Sequence, residues 1–495
     1  MRHLLSIALA ALTMATGVVH AQTAAPQTAA PNTALNIMRA SAAMSAGKCG
    51  EALPILAQLW DDASLKAGDP DMAAQFRAKR VLCTAQVSGP AAALPLSAEN
   101  LAQAPVSADA YGLHIFLQLG TGQVTEASQT LDTALAALGP KGADLADLSV
   151  LGTLVLLRDK DPAREAALMS HVEDARWQVH DITSRPVLDL FRLESLRAAT
   201  AAGDKAHAEA YRADIAKDAV IYILSQGDGR ISRGDVPPQD LRAILAGEIA
   251  DTKAYIVKDS RDLSAISYLI GLETLAGDED LALKQANSVI GLIDSHSLAS
   301  FENTDSYANL LSQKATLLAD LGKTVDADAA YAEGEARLKG AGTVEFYVGE
   351  LSYLIDRGRQ KDALALAARF DLGNLHPDQK AAIGSLVACA FAYEGDKADY
   401  NTIVDAMPDG VELRTRPLLC AGDTEAAARN TIALIKDENA RDTMINFLQD
   451  RQAGIAWGAR NQIYLNAVAA LRKRSDVLSA STQANMLIRS WPARF

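Results

Sequence analysis

Apolar residues recur at a helical period along most of this chain, and the clearest stretch is Tyr307 to Leu338, YANLLSQKATLLADLGKTVDADAAYAEGEARL. Leu311, Ala315 and Leu318 fall at i, i+4 and i+7, which is one helix face. Gly322 then ends the helix, because a left-handed C-terminal position costs glycine nothing. Ala327, Tyr331 and Gly334 repeat the same spacing in a second helix. The small residues Ala315, Ala327 and Gly334 let the two helices approach closely, and Tyr331 fills the space left. The stretch predicts a helical hairpin.

The pattern returns. Gly47 is followed by Ala52, Leu56 and Leu59, and Gly122 by Ala127, Leu131 and Ala134. Gly277 precedes Ala282, Ala286 and Val289, while Gly358 precedes Ala363, Ala367 and Phe370. Gly203 with Ala208 and Gly422 with Ala427 are weaker cases. From Gly322 to Gly358 is 358 − 322 = 36 residues, and Gly395 follows 37 later, although Tyr400 stands there in place of Ala. From Gly122 to Gly203 is 81 residues, room for two hairpins, one of them without a recognisable turn. Alternating β-branched runs are absent, so little or no sheet is expected.

The hairpin pattern resembles the tetratricopeptide repeat, with small apolar residues in its first helix, Gly at the turn, and Ala, aromatic, Ala in its second. The resemblance is good over roughly 262–372 and degenerate elsewhere. It implies an all-α fold, a right-handed α-solenoid of tetratricopeptide-like helical hairpins. Residues 34–224 are then a degenerate N-terminal half and 240–451 the repeat half. Between them Ser225 to Gln239, SQGDGRISRGDVPPQ, is rich in Gly and Pro and reads as a loop. Residues 452–495 read as terminal capping helices. Their charge differs from the rest, with Arg460, Arg472, Lys473, Arg474, Arg489 and Arg494 against Asp476.

In such repeats, first-helix residues that point away from the second helix line a concave groove. Aligned on Gly322 these are Asn309, Ser312, Thr316 and Asp320, and aligned on Gly358 they are Glu345, Ser352 and Asp356. The resemblance makes these seven the candidate partner-binding residues. The set is acidic and hydroxyl-rich, which suits a basic or hydroxyl-bearing ligand. The alternative for each is a solvated helix face.

Composition narrows the function. The chain has 495 residues, 49% hydrophobic and 22% charged, with a formal net charge of −14. Phosphates would repel so acidic a chain, which excludes nucleic acid as a partner class. Residues 1–21, MRHLLSIALAALTMATGVVHA, carry a positive end, a short apolar run and a small-residue cleavage site, the form of a secretory signal peptide. The run is too short to span a bilayer. Residues 22–33, QTAAPQTAAPNT, read as a disordered linker. A periplasmic or secreted protein follows.

Four cysteines, Cys49, Cys83, Cys389 and Cys420, form no C-x-x-C motif. An even count in an exported protein suggests disulfides, the alternative being four buried thiols. Their separations, 83 − 49 = 34 and 420 − 389 = 31, are each about one hairpin, so within a solenoid the pairs Cys49–Cys83 and Cys389–Cys420 are expected.

Catalytic and cofactor motifs are not found. There is no H-E-x-x-H, no G-x-S-x-G and no phosphate-binding loop. His171 and His180 stand nine apart and share no metal-binding turn. No cofactor and no metal are implied. The sequence therefore reads as a non-enzymatic exported scaffold for a protein or peptide partner. The alternatives are a helical envelope enzyme using groove carboxylates on glycan or peptide, and a structural assembly subunit.

Overall fold

A computed structural model describes residues 31–103, 107–232, 238–338, 344–370, 375–407, 410–451 and 456–491. The signal-like residues 1–21 and most of the linker lie outside the described residues. Residues 31–33, expected in the linker, already belong to a helix. The reason is a tertiary one: the Thr33 hydroxyl donates to Asp62 at 2.6 Å and is buried.

Chain contacts divide the protein into two compact units at Phe191/Arg192, upstream of the 225–239 interruption. The first unit is a run of helices: α1 (Pro31–Ser45), α2 (Cys49–Trp60), α3 (Ala63–Gly68), α4 (Pro70–Ser88), α5 (Pro90–Gln103), α6 (Ala108–Gly120), α7 (Val124–Leu138), α8 (Asp147–Lys160) and α9 (Pro162–Asp174). Successive long helices pack against one another, and α6 also packs on α8. Its larger core gathers Ile115, Leu131, Leu154, Leu168, Trp177 and Phe191. Trp177 is fully buried and its indole N–H donates to the Leu145 carbonyl at 2.9 Å. That bond meets the need of a buried ring nitrogen for an acceptor.

Helix α10 (Arg185–Ala202) contains the division. The second unit continues with α11 (Lys205–Ile215), α12 (Ala219–Gly227) and α13 (Pro238–Lys258). Five hairpins follow: α14 (Leu263–Ala276) with α15 (Glu279–His296), α16 (Ser306–Asp320) with α17 (Thr324–Leu338), α18 (Val344–Asp356) with α19 (Gln360–Ala367), α20 (Pro377–Glu394) with α21 (Lys397–Ala406), and α22 (Glu412–Cys420) with α23 (Thr424–Lys436). Each first helix packs on the next, α14 on α16, α16 on α18, α18 on α20 and α20 on α22. This is the stacking of an all-α solenoid of helical hairpins.

The turn glycines hold the hairpins together in sequence. Gly47, Gly122, Gly203, Gly277, Gly322, Gly358, Gly395 and Gly422 all take a left-handed conformation, with φ between +69° and +87°. After them Ala52, Ala127, Ala208, Ala282, Ala327, Ala363 and Ala427 are buried. The hairpin hidden between Gly122 and Gly203 is α8–α9, whose turn has no glycine. Asp161 caps α9 by accepting from Arg164 N at 3.0 Å, and Pro162 opens the helix.

Two boundaries differ from the sequence reading. Ser225, Gln226 and Gly227 are helical, because the apolar run Ala219–Leu224 carries α12 on to Gly227, and helix resumes at Pro238. Of the expected loop, 233–237 lies outside the described residues. The C-terminal segment does not merely close an end. After α24 (Arg441–Leu448), strand β1 (Asp450–Arg451) pairs in parallel with β2 (Ser490–Trp491). Between them α25 (Ala459–Arg472) runs back along the first helices, touching α18, α22 and α23, and α26 (Ser475–Gln483) packs on α23.

Both expected disulfides are present. Cys49–Cys83 ties α2 to α4, and Cys389–Cys420 ties the consecutive first helices α20 and α22.

Candidate interaction surface

The surface begins with the packing of α17 on α18. Gly334 sits so close to Phe346 that an added Cβ would come within 2.6 Å of the ring. Phe346 is thereby locked between Tyr331 and Tyr347, with ring centroids 5.8 and 5.4 Å away. Tyr331 in turn lies 5.1 Å from Tyr353. These rings fix the α18 backbone and so fix what α18 presents on its other face.

The C-terminal segment is seated on that other face. Trp457 donates its indole N–H to Asp320 at 2.7 Å, and its ring lies 5.9 Å from that of Tyr353. The Trp457 carbonyl accepts from Arg357 at 3.1 Å. Gly458 follows, so near α18 that a Cβ would meet the Asp356 carbonyl at 2.9 Å and Arg357 Cα at 3.2 Å. Asn461 hydrogen-bonds Asp356. Arg460 stands 4.8 Å over the Tyr393 ring of α20, and Tyr464 takes the Arg416 guanidinium of α22 on its face at 5.2 Å. Arg416 also donates to Ser352 at 3.0 Å and to Asp356 at 3.3 Å. Burial pushes the Asp356 carboxyl above its usual range, and Arg416 beside it opposes the shift.

The seven expected residues separate into two groups. Asp320, Ser352 and Asp356 meet around α25, through Trp457, Arg416 and Asn461. The others do not share that surface. The Thr316 hydroxyl lies 3.3 Å from the Tyr331 hydroxyl, and Ser312 also bonds Tyr331, so both turn toward the second helix of their hairpin. Asn309 donates to Ser267 at 2.7 Å and Glu345 accepts from Gln379 at 3.3 Å, each tying one first helix to the next. The residues not foreseen are Arg416, Tyr393 and the tail set Trp457, Arg460, Asn461 and Tyr464. In the tail, Arg460, Asn461, Tyr464, Val468 and Leu471 share one helix face, a signal present in the sequence but silent about what it packs on.

A second feature opens between α17, α18 and α19. A cleft of about 380 Å³ is lined by Tyr331, Glu335, Glu350, Tyr353, Arg359 and Arg369 among others. Burial, reinforced by the Glu335 charge, pushes Glu350 up to about 7, and its Oε2 has no hydrogen-bond partner. Arg369 pairs with Glu335, while Arg359 bonds Asp328 at 3.0 Å and Asp362 at 2.6 Å. His171 and His180 are satisfied locally, by Asp132 and Asp147, each at 2.8 Å.

No family model and no curated protein matches this chain. Among solved structures it is similar to the TPR domain of P58(IPK), at 15% identity over 90% of this chain and 100% of that one, with a TM-score of 0.17. That likeness is too slight to bear on function. The hairpins themselves carry the fold: first helices stack on first helices, each of the five turns at a left-handed glycine, and in four of them a buried alanine stands five positions on, Tyr400 taking that place after Gly395. In these features they resemble tetratricopeptide repeats.

Proposed function

We propose that this chain is an exported scaffold whose stacked first helices bind a protein or peptide segment in the cell envelope. One observation carries the reading. The α16–α22 face already grips a length of polypeptide through an indole acceptor, a backbone donor, a close glycine passage and two cation–π contacts. Such a face reads side chains and backbone together, as peptide-binding surfaces do. Three of the residues expected at a binding groove, Asp320, Ser352 and Asp356, are part of it.

Export is supported by the signal-like residues 1–21 and the two disulfides, which persist in oxidising compartments. Among the described residues no helix is long and apolar enough to cross a membrane. The groove carboxylates that acid–base chemistry would need are held by neighbours, Asp320 by Trp457 and Asp356 by Arg416. On this face that favours binding over turnover.

A photoreactive residue at half-buried Asp320 or Ser352, both on that face, tests the proposal in cells. Cross-linking followed by mass spectrometry of the periplasmic fraction should recover one protein joined through one segment. Cross-links to a second copy alone would assign a structural assembly role. Absence of the chain from the periplasm would remove the exported part of the reading.

A further inference from the structure

The C-terminal segment is held differently at its two ends. Its distal part is anchored: Arg472 bonds Asp450 at 2.6 Å, Arg474 forms two bonds to Glu425 at 2.7 and 2.9 Å, and β2 pairs with β1. Its proximal part, Trp457 to Tyr464, is only half-buried: Trp457 and Tyr464 pack on the edges of two apolar clusters, and polar and cation–π contacts hold the rest. Burial begins at Val468 and Leu471. The fit is also incomplete. The Tyr393 hydroxyl, Arg416 Nε and Arg357 Nε, all on the face under the segment, keep no hydrogen-bond partner, although buried polar groups ordinarily find one.

We infer that residues 457–464 are an internal stand-in for the partner, and that the partner is a protein segment of the same chemistry. That segment presents Trp-Gly and then a helix with Arg, Asn and Tyr at +3, +4 and +7 from the Trp. The indole seats against Asp320 and Tyr353, and glycine is required where the chain passes Asp356. At Gly458 φ is −177°, which any residue adopts, so the requirement is one of space and not of backbone conformation. Arg and Tyr then exchange cation–π contacts with Tyr393 and Arg416. A partner that also satisfies the Tyr393 hydroxyl and the Arg416 and Arg357 nitrogens displaces the internal segment. The displaced segment stays tethered through α26 and β2. Its effective concentration is then about millimolar, and it acts as a built-in competitor. This inference deepens the scaffold reading and rests on it.

The test uses the full chain and a fluorescent synthetic peptide, AWGARNQIYLNAVAALR, which is residues 456–472. Anisotropy titrations compare the natural chain with Gly458→Val, where the added side chain has no room, and with Trp457→Ala, which keeps the backbone path. Both variants should bind the peptide at least tenfold more tightly than the natural chain. A peptide carrying the Gly→Val change should bind none of the three. Equal affinity for variant and natural chain, or no binding to a folded Trp457→Ala chain, overturns the inference. Variants that pair into dimers on light scattering would assign the surface to a second copy and overturn it also. A tighter-binding variant with no cross-linked partner in cells would sink the envelope scaffold reading and leave this recognition standing.

Discussion

Replacing Gly334 with Ala sets two effects of known sign against each other. In the middle of a helix the change gains about 0.8–1.0 kcal/mol in propensity. Here, however, the new Cβ would lie 2.6 Å from both Cε2 and Cζ of Phe346 and 3.5 Å from Leu311 Cβ. Carbon atoms rest at about 3.5–4.0 Å, so the overlap with the ring is about 1 Å. Phe346 has no exposed surface and is flanked by Tyr331 and Tyr347, so it cannot swing clear without moving its neighbours. Overpacking of this kind costs about 1–3 kcal/mol, which equals or exceeds the gain. The net expectation is a loss of about 0–2 kcal/mol. Gly271 in α14 supplies the control, since nothing lies within 4 Å of its added Cβ. Gly271→Ala should stabilise by about 0.5–1 kcal/mol. Urea titrations followed by circular dichroism give both values, provided the m-value stays constant. The midpoint should fall or stand still for Gly334→Ala and rise for Gly271→Ala. If both rise together, α17 and α18 do not approach as closely as described, and the reasoning from small residues fails.

Arg197 bonds Asp228 and Asp442 at 2.9 Å each, and both carboxylates are buried, so Arg197→Met should cost about 3–5 kcal/mol and Arg197→Met with Asp442→Leu should recover part of it. A urea midpoint unchanged in the single variant would refute this. Removing Cys389–Cys420 by paired Ala substitution opens a loop of 31 residues and should lower stability by about 3–4 kcal/mol, with intact-mass analysis of the natural chain showing no free thiol. Glu350 is held at about 7 in the fold against an ordinary value near 4.5, so its protonated form is the favoured one. Its contribution is complete below 4.5 and is lost as pH rises through 7. Glu350→Gln should flatten the stability profile over that window and leave it unchanged below.

What the sequence determined by itself is local. A left-handed glycine and an apolar helix face act within a few residues of each other, so Gly322, Ala327 and Tyr331 announce their hairpin without help from the rest of the chain. The disulfide pairs were legible for a related reason, since a bond between cysteines one hairpin apart needs only neighbouring helices. Where the turn uses Asp161 and Pro162 instead of glycine, the same physics is present but written in other residues, so the spacing leaves room for the hairpin without marking its turn. The surface is a different matter. Whether Thr316 faces a groove or Tyr331 depends on a second helix's side chain, and only packing decides that. Trp457 meets Asp320 across 137 positions and Arg460 meets Tyr393 across 67. The amphipathic period of α25 shows that one face is covered but carries no term for its cover. That choice is made by shape and charge brought together from distant parts of the chain, which only the tertiary fold assembles.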